Sequence, residues 1–245
     1  MKDFFTEFCV ETLNGKKTIV AGKGEPLVFL HGFMSSKEAF RAQIGFFSEY
    51  FTVYAPDLCG FGENREMAYP YSLDDYVREL DELIDSVGGK ACVIAHSFGC
   101  RVALKEAASS DRISKAVLCG VAGLKPPFSA KRTAKRACYK LLRPFISRER
   151  AEKLFFSPDY LMTEGALRES FKKVTGEYLD GALKKVDCPI LCVFGENDRE
   201  TPPTLAKRLK KNVSRCDCVI MKGCGHFCFA ENPAEFNYVT REFLL

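Results

Sequence analysis

The sequence predicts an α/β protein, in which a mostly parallel sheet of eight strands has helices on both faces. Two observations predict this fold class. From residue 27 onwards, short apolar runs alternate with helical stretches, as they do in parallel sheets. The chain has 245 residues, of which 47% are hydrophobic, enough to build one sizeable core.

The first four predicted strands lie in the N-terminal quarter of the chain. Phe4–Leu13 alternates as a strand, an Asn-Gly pair is a strong hairpin signal, and Thr18–Ala21 returns as the second strand. Leu27–Leu30 and Phe51–Ala55 are the next two strands, with a helix predicted over Ser35–Ser48 between them.

The helix predicted over Ser72–Val87 has the clearest pattern in the chain. Ser72 is a good N-cap, and Asp74 and Asp75 lie in the first turn, where acidic side chains favour the start of a helix. Its apolar residues recur at helical spacing and form one face, whereas the acidic residues fall mainly on the other. This helix should therefore have one buried and one solvated face.

Strands and helices then alternate to the C-terminus. The remaining predicted strands are Ala91–Ala95, Ile113–Cys119, Ile190–Phe194 and Cys216–Met221, and the remaining helices are Arg101–Ala108, Pro202–Lys211 and Pro233–Leu245. About 70 residues separate the sixth strand from the seventh, too many for a loop. We therefore expect a helical cap at residues 124–186, inserted after strand 6, and a core made of residues 1–123 and 187–245.

A serine lies between the fifth predicted strand and the helix that follows it. In Ala95-His96-Ser97-Phe98-Gly99, small residues flank Ser97 two positions away on both sides, as a sharp strand–turn–helix junction requires. Such a turn lifts the hydroxyl out of the sheet, in front of a helix N-terminus. The pattern predicts that Ser97 is a nucleophile, which needs a base and a carboxylate that orients the base.

The chain has three histidines, of which His226 is the best placed to be the base. His96 adjoins the serine on a strand, so its side chain should diverge from the hydroxyl, and His31 ends an earlier strand. His226 follows the last strand, at the sheet edge where the serine also emerges. Asp198, after the seventh strand, is the predicted carboxylate, with Glu196 as the local alternative.

The order Ser97, Asp198, His226 resembles that of the α/β-hydrolases. Further motifs at strand ends are similar to those of this family. His31-Gly32-Phe33 resembles its oxyanion loop, residues 56–62 (Pro-Asp-Leu-Cys-Gly-Phe-Gly) resemble its P-D-x-x-G-x-G loop, and a glycine precedes both Asp198 and His226 at the family's spacing. The resemblance covers nearly the whole chain. It departs at position 95, where Ala replaces the usual glycine, and at Cys59.

The resemblance implies the α/β-hydrolase fold and a serine hydrolase of the carboxylesterase or lipase type, with no cofactor and no metal. It implies an oxyanion hole made by the backbone N–H groups of Phe33 and Phe98. It also implies that His31 braces its loop. Dehalogenases and epoxide hydrolases of this family use an aspartate nucleophile, so Ser97 excludes their reactions. The candidate substrate-binding residues are His31, Gly32, Leu142, Phe145 and Phe227.

The predicted cap carries two groups of residues that bear on the substrate. Its apolar side chains could line an acyl pocket: Leu141, Leu142, Phe145, Ile146, Leu154, Phe155, Phe156 and Leu161. Its basic residues include Lys131, Arg132, Lys135, Arg136, Lys140 and Arg143. Three interpretations of these basic residues stay open: a solvated surface, a docking site for an anionic carrier, or contact with an anionic membrane surface.

Other sequence features exclude several classes of protein. The N-terminus lacks the layout of a signal peptide, and no apolar run approaches the roughly 20 residues of a membrane span, so we expect a cytoplasmic protein without a transmembrane segment. No nucleic-acid-binding pattern is visible. Most of the 12 cysteines should be reduced and act as small hydrophobic residues. The group Cys216, Cys218, Cys224 and Cys228 lacks the paired C-x2-C arms of a zinc ribbon.

These features favour hydrolysis of a small-molecule carboxylic ester through an acyl-enzyme. The same triad could serve a thioesterase, an enzyme that hydrolyses acyl-carrier esters, or a carbon–carbon bond hydrolase, and the sequence does not separate these. A ligand sensor that keeps the pocket but does not turn over is the alternative of a different class.

Overall fold

The computed structural model describes residues 8–126 and 128–245, apart from the side chains of residues 131, 132 and 136. Its strands are β1 (Cys9–Leu13), β2 (Lys16–Gly22), β3 (Pro26–Leu30), β4 (Thr52–Pro56), β5 (Ala91–His96), β6 (Ile113–Cys119), β7 (Ile190–Gly195) and β8 (Cys216–Met221). Its α-helices are α1 (Arg41–Phe47), α2 (Leu73–Ser86), α3 (Phe98–Ala107), α4 (Ala130–Leu142), α5 (Arg148–Phe155), α6 (Pro158–Met162), α7 (Gly165–Gly176), α8 (Ala206–Asn212), α9 (Cys228–Glu231) and α10 (Pro233–Leu244).

The eight strands form one sheet, in the order β1-β2-β4-β3-β5-β6-β7-β8. Strand β2 is antiparallel to β1 and β4, and the pairs from β4 to β8 are parallel. The predicted, mostly parallel, eight-stranded sheet is therefore confirmed. The first strand was predicted to start at residue 4, and residues 4–7 lie outside the described part of the chain. Because the parallel strands point the same way, the loops after β3 to β8 meet at one edge.

Apolar side chains fill both faces of the sheet, because successive residues of a strand point to opposite sides. Val28 and Val93 face the layer that also contains α2 and α3, whereas Leu27 and Phe29 face the layer with α1 and α10. These four side chains are at most 1% exposed. The continuous apolar runs of β3 and β5 are thus explained by burial on both faces.

Helix α2 begins where the sequence predicts. Ser72 Oγ accepts a hydrogen bond from Asp75 N at 3.3 Å, and Asp75 Oδ2 accepts one from Ser72 N at 2.7 Å. This reciprocal capping box satisfies backbone donors that a helix N-terminus leaves unpaired.

Residues 124–186, here called the β6–β7 segment, carry α4 to α7. Helix α7 packs on the carboxyl edge of the sheet: the rings of Phe171 and Phe33 lie 4.8 Å apart, and Ser170 Oγ accepts from Tyr71 N at 2.8 Å. Arg101 Nη1 donates to the carbonyl oxygens that end this helix, at 2.8 Å for Val174. None of the helices in the described ranges combines the length and the apolarity that crossing a bilayer takes.

Candidate active site

Ser97 lies in a strained backbone conformation between β5 and α3. Its φ of 47° and ψ of −105° are rare for any residue other than glycine. The neighbouring strand β6 holds the turn in place, since Ser97 N donates a hydrogen bond to Cys119 O at 3.0 Å. Within the turn, Cys100 N donates to Ser97 O at 3.1 Å. The sharp turn expected from the sequence is therefore present, and strain of this kind is concentrated at functional sites.

The small residues around Ser97 are required by the close approach of α3 to β3. A Cβ atom at Gly99 would collide with the carbonyl oxygen of Leu30 and would lie 2.8 Å from the Leu30 Cβ. On the other side, Ala95 is fully buried. Position 99 accepts only glycine, whereas the methyl group of Ala95 is accommodated.

His226 and Asp198 form a direct pair at the same sheet edge. His226 Nδ1 lies 2.8 Å from Asp198 Oδ2, and both side chains are largely buried. Since the carboxylate only accepts, Nδ1 carries the hydrogen and the Nε2 lone pair is left free. Glu196, the alternative acid, instead accepts from Gly223 N at 3.0 Å through its Oε2. Asp198 is therefore the carboxylate that contacts the histidine.

The environment keeps Asp198 ionised. Burial acts to raise the pKa of Asp198, but hydrogen bonds from His226 and Thr201 outweigh it and hold this pKa below its ordinary value. Thr201 Oγ1 donates to Oδ2 at 2.7 Å, and the backbone N–H groups of Glu200 and Thr201 donate to Oδ1 at 2.8 and 2.9 Å.

The same contacts act on the histidine. Burial acts to lower the pKa of His226, but the hydrogen bond and negative charge of Asp198, with the charges of Glu200 and Asp159, raise it above its ordinary value. Glu200 Oε2 lies 3.5 Å from His226 Nε2 and is mostly exposed. In the part of the chain that the structure describes, the ring nitrogens of His226 lie near oxygen atoms of Asp198, Thr201 and Glu200 and make no hydrogen bond to Ser97.

The buried ring of His96 packs against the ring of His226. Its Nε2 donates to the His226 carbonyl oxygen at 3.1 Å, and the two ring centroids lie 4.8 Å apart. Burial and the nearby His226 lower the pKa of His96 to about 3, so His96 is neutral. On another side, a Cβ atom at Gly120 would lie 3.0 Å from His226 Cε1, so this glycine leaves room for the ring.

The loop after β3 is braced by the loop after β4. His31 is buried, and its Nδ1 donates to Gly32 O at 2.7 Å while its Nε2 accepts from Leu58 N at 3.1 Å. Asp57, also buried, accepts from Lys37 N at 2.8 Å and pairs with Lys37 Nζ at 2.6 Å. Because Phe33 lies between His31 and Lys37 in the sequence, these bonds fix the position of its backbone.

Two backbone amides near Ser97, those of Phe33 and Phe98, have no hydrogen-bond acceptor among the described residues. Phe98 is the first residue of α3, so its N–H has no partner inside the helix. Phe33 lies in the turn after β3, and its N–H makes no hydrogen bond with residues 8–126 or 128–245. The rings of Phe33 and Phe98 contact each other at 5.7 Å, which keeps the two turns together.

Ser97 lies in the wall of a cavity of about 490 Å³, large enough for a small organic substrate. The cavity is lined by Ser97, Arg101, Val121, Ala122, Gly123, Leu124, Pro126, Phe128, Ser129, Tyr178, Arg199, Glu200, Thr201, Pro202, Thr204 and Leu205. The residues that follow β6 form an apolar part of the wall. The loop after β7 contributes two charged residues, Arg199 and Glu200.

The five candidate substrate-binding residues are not among those that line this cavity. His31 uses both ring nitrogens within the protein, as noted above, and Gly32 faces the ring of His96. Leu142 is 40% exposed and Phe145 81% exposed, and Phe227 stacks on His96 from outside. The wall is built instead by residues 121–126 and 199–205, because both stretches start at strand ends beside the serine.

Sequence analysis missed several residues around the site. Thr201 follows Asp198 by three residues, the spacing at which a side chain and backbone can bond back to a carboxylate, and this signal could have been used. Glu200, Arg101 and the contact between His96 and His226 left no such signal, because they depend on how distant segments pack.

Comparisons with known proteins identify the family of the chain. Residues 27–237 match the family model described as "Alpha/beta hydrolase family". A 2-hydroxy-6-oxo-6-(2'-aminophenyl)hexa-2,4-dienoic acid hydrolase of Metapseudomonas resinovorans is 26% identical over 257 residues, covering 91% of this chain and 85% of the relative. Lipase 3 of a Moraxella species is 23% identical and covers 85% and 73% of the two chains.

A solved structure shares the fold. The CarC enzyme, a serine hydrolase involved in carbazole degradation, superposes with a TM-score of 0.76 at 23% identity, covering 97% of this chain and 99% of that one.

The family model, matched by residues 27–237, spans most of the sheet and its strand-end loops. The chain therefore belongs to the alpha/beta hydrolase family.

Proposed function

We propose that this hydrolase cleaves carboxylic esters, with Ser97 as nucleophile, His226 as general base and Asp198 as the acid that orients the base. One observation carries the proposal. A serine in a strained turn lies in the wall of a cavity, and a buried histidine–carboxylate pair stands at the same sheet edge. A strained serine has no evident structural purpose here, whereas a nucleophile must be exposed in this way.

The proposed reaction proceeds in two acyl-transfer steps. Ser97 Oγ attacks the ester carbonyl, and His226 Nε2 takes the hydroxyl proton while Asp198 stabilises the charged ring. The N–H groups of Phe33 and Phe98 then bind the oxyanion of the tetrahedral intermediate. The alcohol leaves with the proton from Nε2, and a water activated by His226 releases the acid from the acyl-enzyme.

The proposal requires Ser97 and His226 to come into contact during the reaction. Catalytic hydrogen bonds are often long without substrate and tighten in the complex. Glu200 Oε2 lies 3.5 Å from Nε2 of the ring, but the Glu200 side chain is 67% exposed and can turn away into solvent.

A second candidate is hydrolysis of a carbon–carbon bond next to a ketone. It is favoured by the relative that acts on a 2-hydroxy-6-oxo-hexadienoic acid, because that compound has a ketone and no ester. The same nucleophile and oxyanion hole would serve it. Lipase 3, by contrast, favours esters. Thioesters are a further substrate class with the same acyl-enzyme chemistry.

Turnover of matched substrates separates these functions. Wild type and Ser97→Ala would be assayed with p-nitrophenyl esters from acetate to palmitate, and with a 2-hydroxy-6-oxo-hexa-2,4-dienoic acid. Ester turnover that Ser97→Ala abolishes supports the proposal. Turnover of the dienoic acid alone would replace it with the second candidate. A single acylation without turnover would indicate a ligand sensor.

We also propose that the β6–β7 segment is a cap over the site, since Leu124, Pro126 and Phe128 line the Ser97 cavity. Of its basic residues, the side chains of Lys131, Arg132 and Arg136 lie outside the described residues. Lys135, Lys140 and Arg143 are exposed. These three positive charges would favour contact with an anionic membrane surface. If the segment makes such a contact, reversing the three charges should weaken binding of the protein to anionic vesicles at low salt.

A further inference from the structure

Three cysteines that are distant in sequence lie together on one face of the sheet. Cys192 is on β7, and Cys216 and Cys218 are on β8, two residues apart and so on the same face. The register of the two strands places Cys192 directly opposite Cys218. Cys224 and Cys228, grouped with them by spacing alone, lie on the opposite face of the sheet.

The sulfur atoms have the separations of ligands around one metal ion. Cys192 Sγ lies 3.8 Å from Cys216 Sγ, which lies 4.0 Å from Cys218 Sγ, and all three lie within 4.8 Å of one another. With a metal–sulfur bond of about 2.3 Å, two ligands are about 3.8 Å apart in a tetrahedral site and about 4.0 Å apart in a trigonal one. The three thiols therefore need little movement to bind.

The surroundings of the cluster leave it open to an ion. Cys192 is fully buried, but Cys216 and Cys218 are only partly covered, so an ion can enter from solvent. Among the described residues, the pair Cys119 and Cys228, whose sulfur atoms lie 3.2 Å apart, is not part of a group of three such ligands, and both side chains are fully buried.

We propose that Cys192, Cys216 and Cys218 form a three-thiolate site for a soft cation, Zn²⁺ or Cu⁺. Each thiol gives up its proton to solvent as its metal–sulfur bond forms, with no change of oxidation state. Thiolate ligands select these ions over Mg²⁺ and Ca²⁺. The bound ion cross-links β7 and β8, whose carboxyl ends lead to Asp198 and His226. The site is independent of the proposed hydrolysis, because it lies along the strands rather than at their carboxyl ends.

Cadmium binding tests the site, since Cd²⁺ bound to thiolates gives an ultraviolet charge-transfer absorption. Reduced, metal-free wild type should bind one equivalent tightly, and added Zn²⁺ or Cu⁺ should displace it. Cys216→Ser and Cys218→Ser should each weaken binding by more than about 100-fold, since loss of even an outer partner can cost 10–100-fold. Cys138→Ser, which removes an exposed cysteine elsewhere, should bind as wild type does.

The same titrations can overturn the proposal. It is wrong if wild type takes up no tight equivalent, or if Cys216→Ser and Cys218→Ser retain it. Thermal unfolding of each metal-free variant shows whether it is folded. If a serine variant is not, the corresponding alanine variant replaces it, since the half-buried thiols of Cys216 and Cys218 leave space for a smaller side chain.

Discussion

His96 Nε2 donates a hydrogen bond to the backbone carbonyl oxygen of His226 at 3.1 Å, with the two rings packed at 4.8 Å. The residue before the proposed nucleophile thus holds the loop that carries the proposed base. Because His96 is buried and neutral, this contact positions the loop without adding charge to the site. Accurate placement of two groups is worth orders of magnitude in rate.

Replacing His96 tests this positioning role. His96→Phe keeps a ring in contact with His226 but removes the donor, so we expect kcat to fall by about tenfold or more with KM little changed. His96→Gln can still donate and should recover part of the rate. The kinetics of both variants would be compared at one pH, and a His96→Phe variant with wild-type kcat would exclude the role.

Asp198 should be far more important for activity than Glu196. Asp198→Asn keeps the shape of the side chain but can favour the wrong histidine tautomer, so we expect kcat to fall by about 10⁴-fold. Glu196→Gln is the matched control, because Glu196 lies in the same loop and contacts Gly223 instead of His226. Equal losses in the two variants would contradict the assignment of the acid.

The pH dependence of activity should report the charge on His226. Its pKa is raised above 6.5 and it must be neutral to accept the proton, so kcat/KM should fall as the pH drops through this raised value. Glu200→Gln removes one negative charge that raises this pKa, so the acid limb should move to lower pH, and only slightly because Glu200 is exposed.

The control for this shift is Glu38→Gln, which removes a carboxylate that pairs with Arg41 instead. Its acid limb should stay in place. A Glu200→Gln profile that does not move, or that moves to higher pH, would mean that Glu200 does not face the ionising group.

Gly99 should be intolerant of even one methyl group. Gly99→Ala drives a Cβ atom into the backbone of β3 at Leu30, and a backbone atom cannot move aside as a side chain can. We expect the free energy of unfolding, measured by urea denaturation, to fall by about 3 kcal/mol. Gly181→Ala, where nothing lies within 4 Å of the new Cβ, should unfold close to wild type.

The sequence was most informative where local chemistry fixes the structure. Small residues around Ser97 predict the turn because only they fit between a strand and a helix, and the capped helix at Ser72 forms as expected. The mostly parallel character of the sheet follows from the alternation of apolar strands with helices. These features need no knowledge of distant contacts.

Distant packing explains what the sequence did not provide. Leu142 and Phe145 were expected to line the pocket because they are apolar, but Leu142, the last residue of α4, and Phe145, three residues further on, are exposed to solvent. The approach of Cys192 to Cys218 depends on β7 and β8 being neighbours in one register, which their spacing in the chain cannot reveal. The contact of Arg101 with the end of α7 is of the same kind.

Covalent labelling with a fluorophosphonate tests the central claim most directly, because such a probe reacts with an activated serine and not with an ordinary one. Labelled protein would be digested and the modified residue identified by mass spectrometry. The account predicts one label, on Ser97, lost in Ser97→Ala and greatly slowed in Asp198→Asn. Folded wild-type protein that takes no label, or a label that persists in Ser97→Ala, would contradict it.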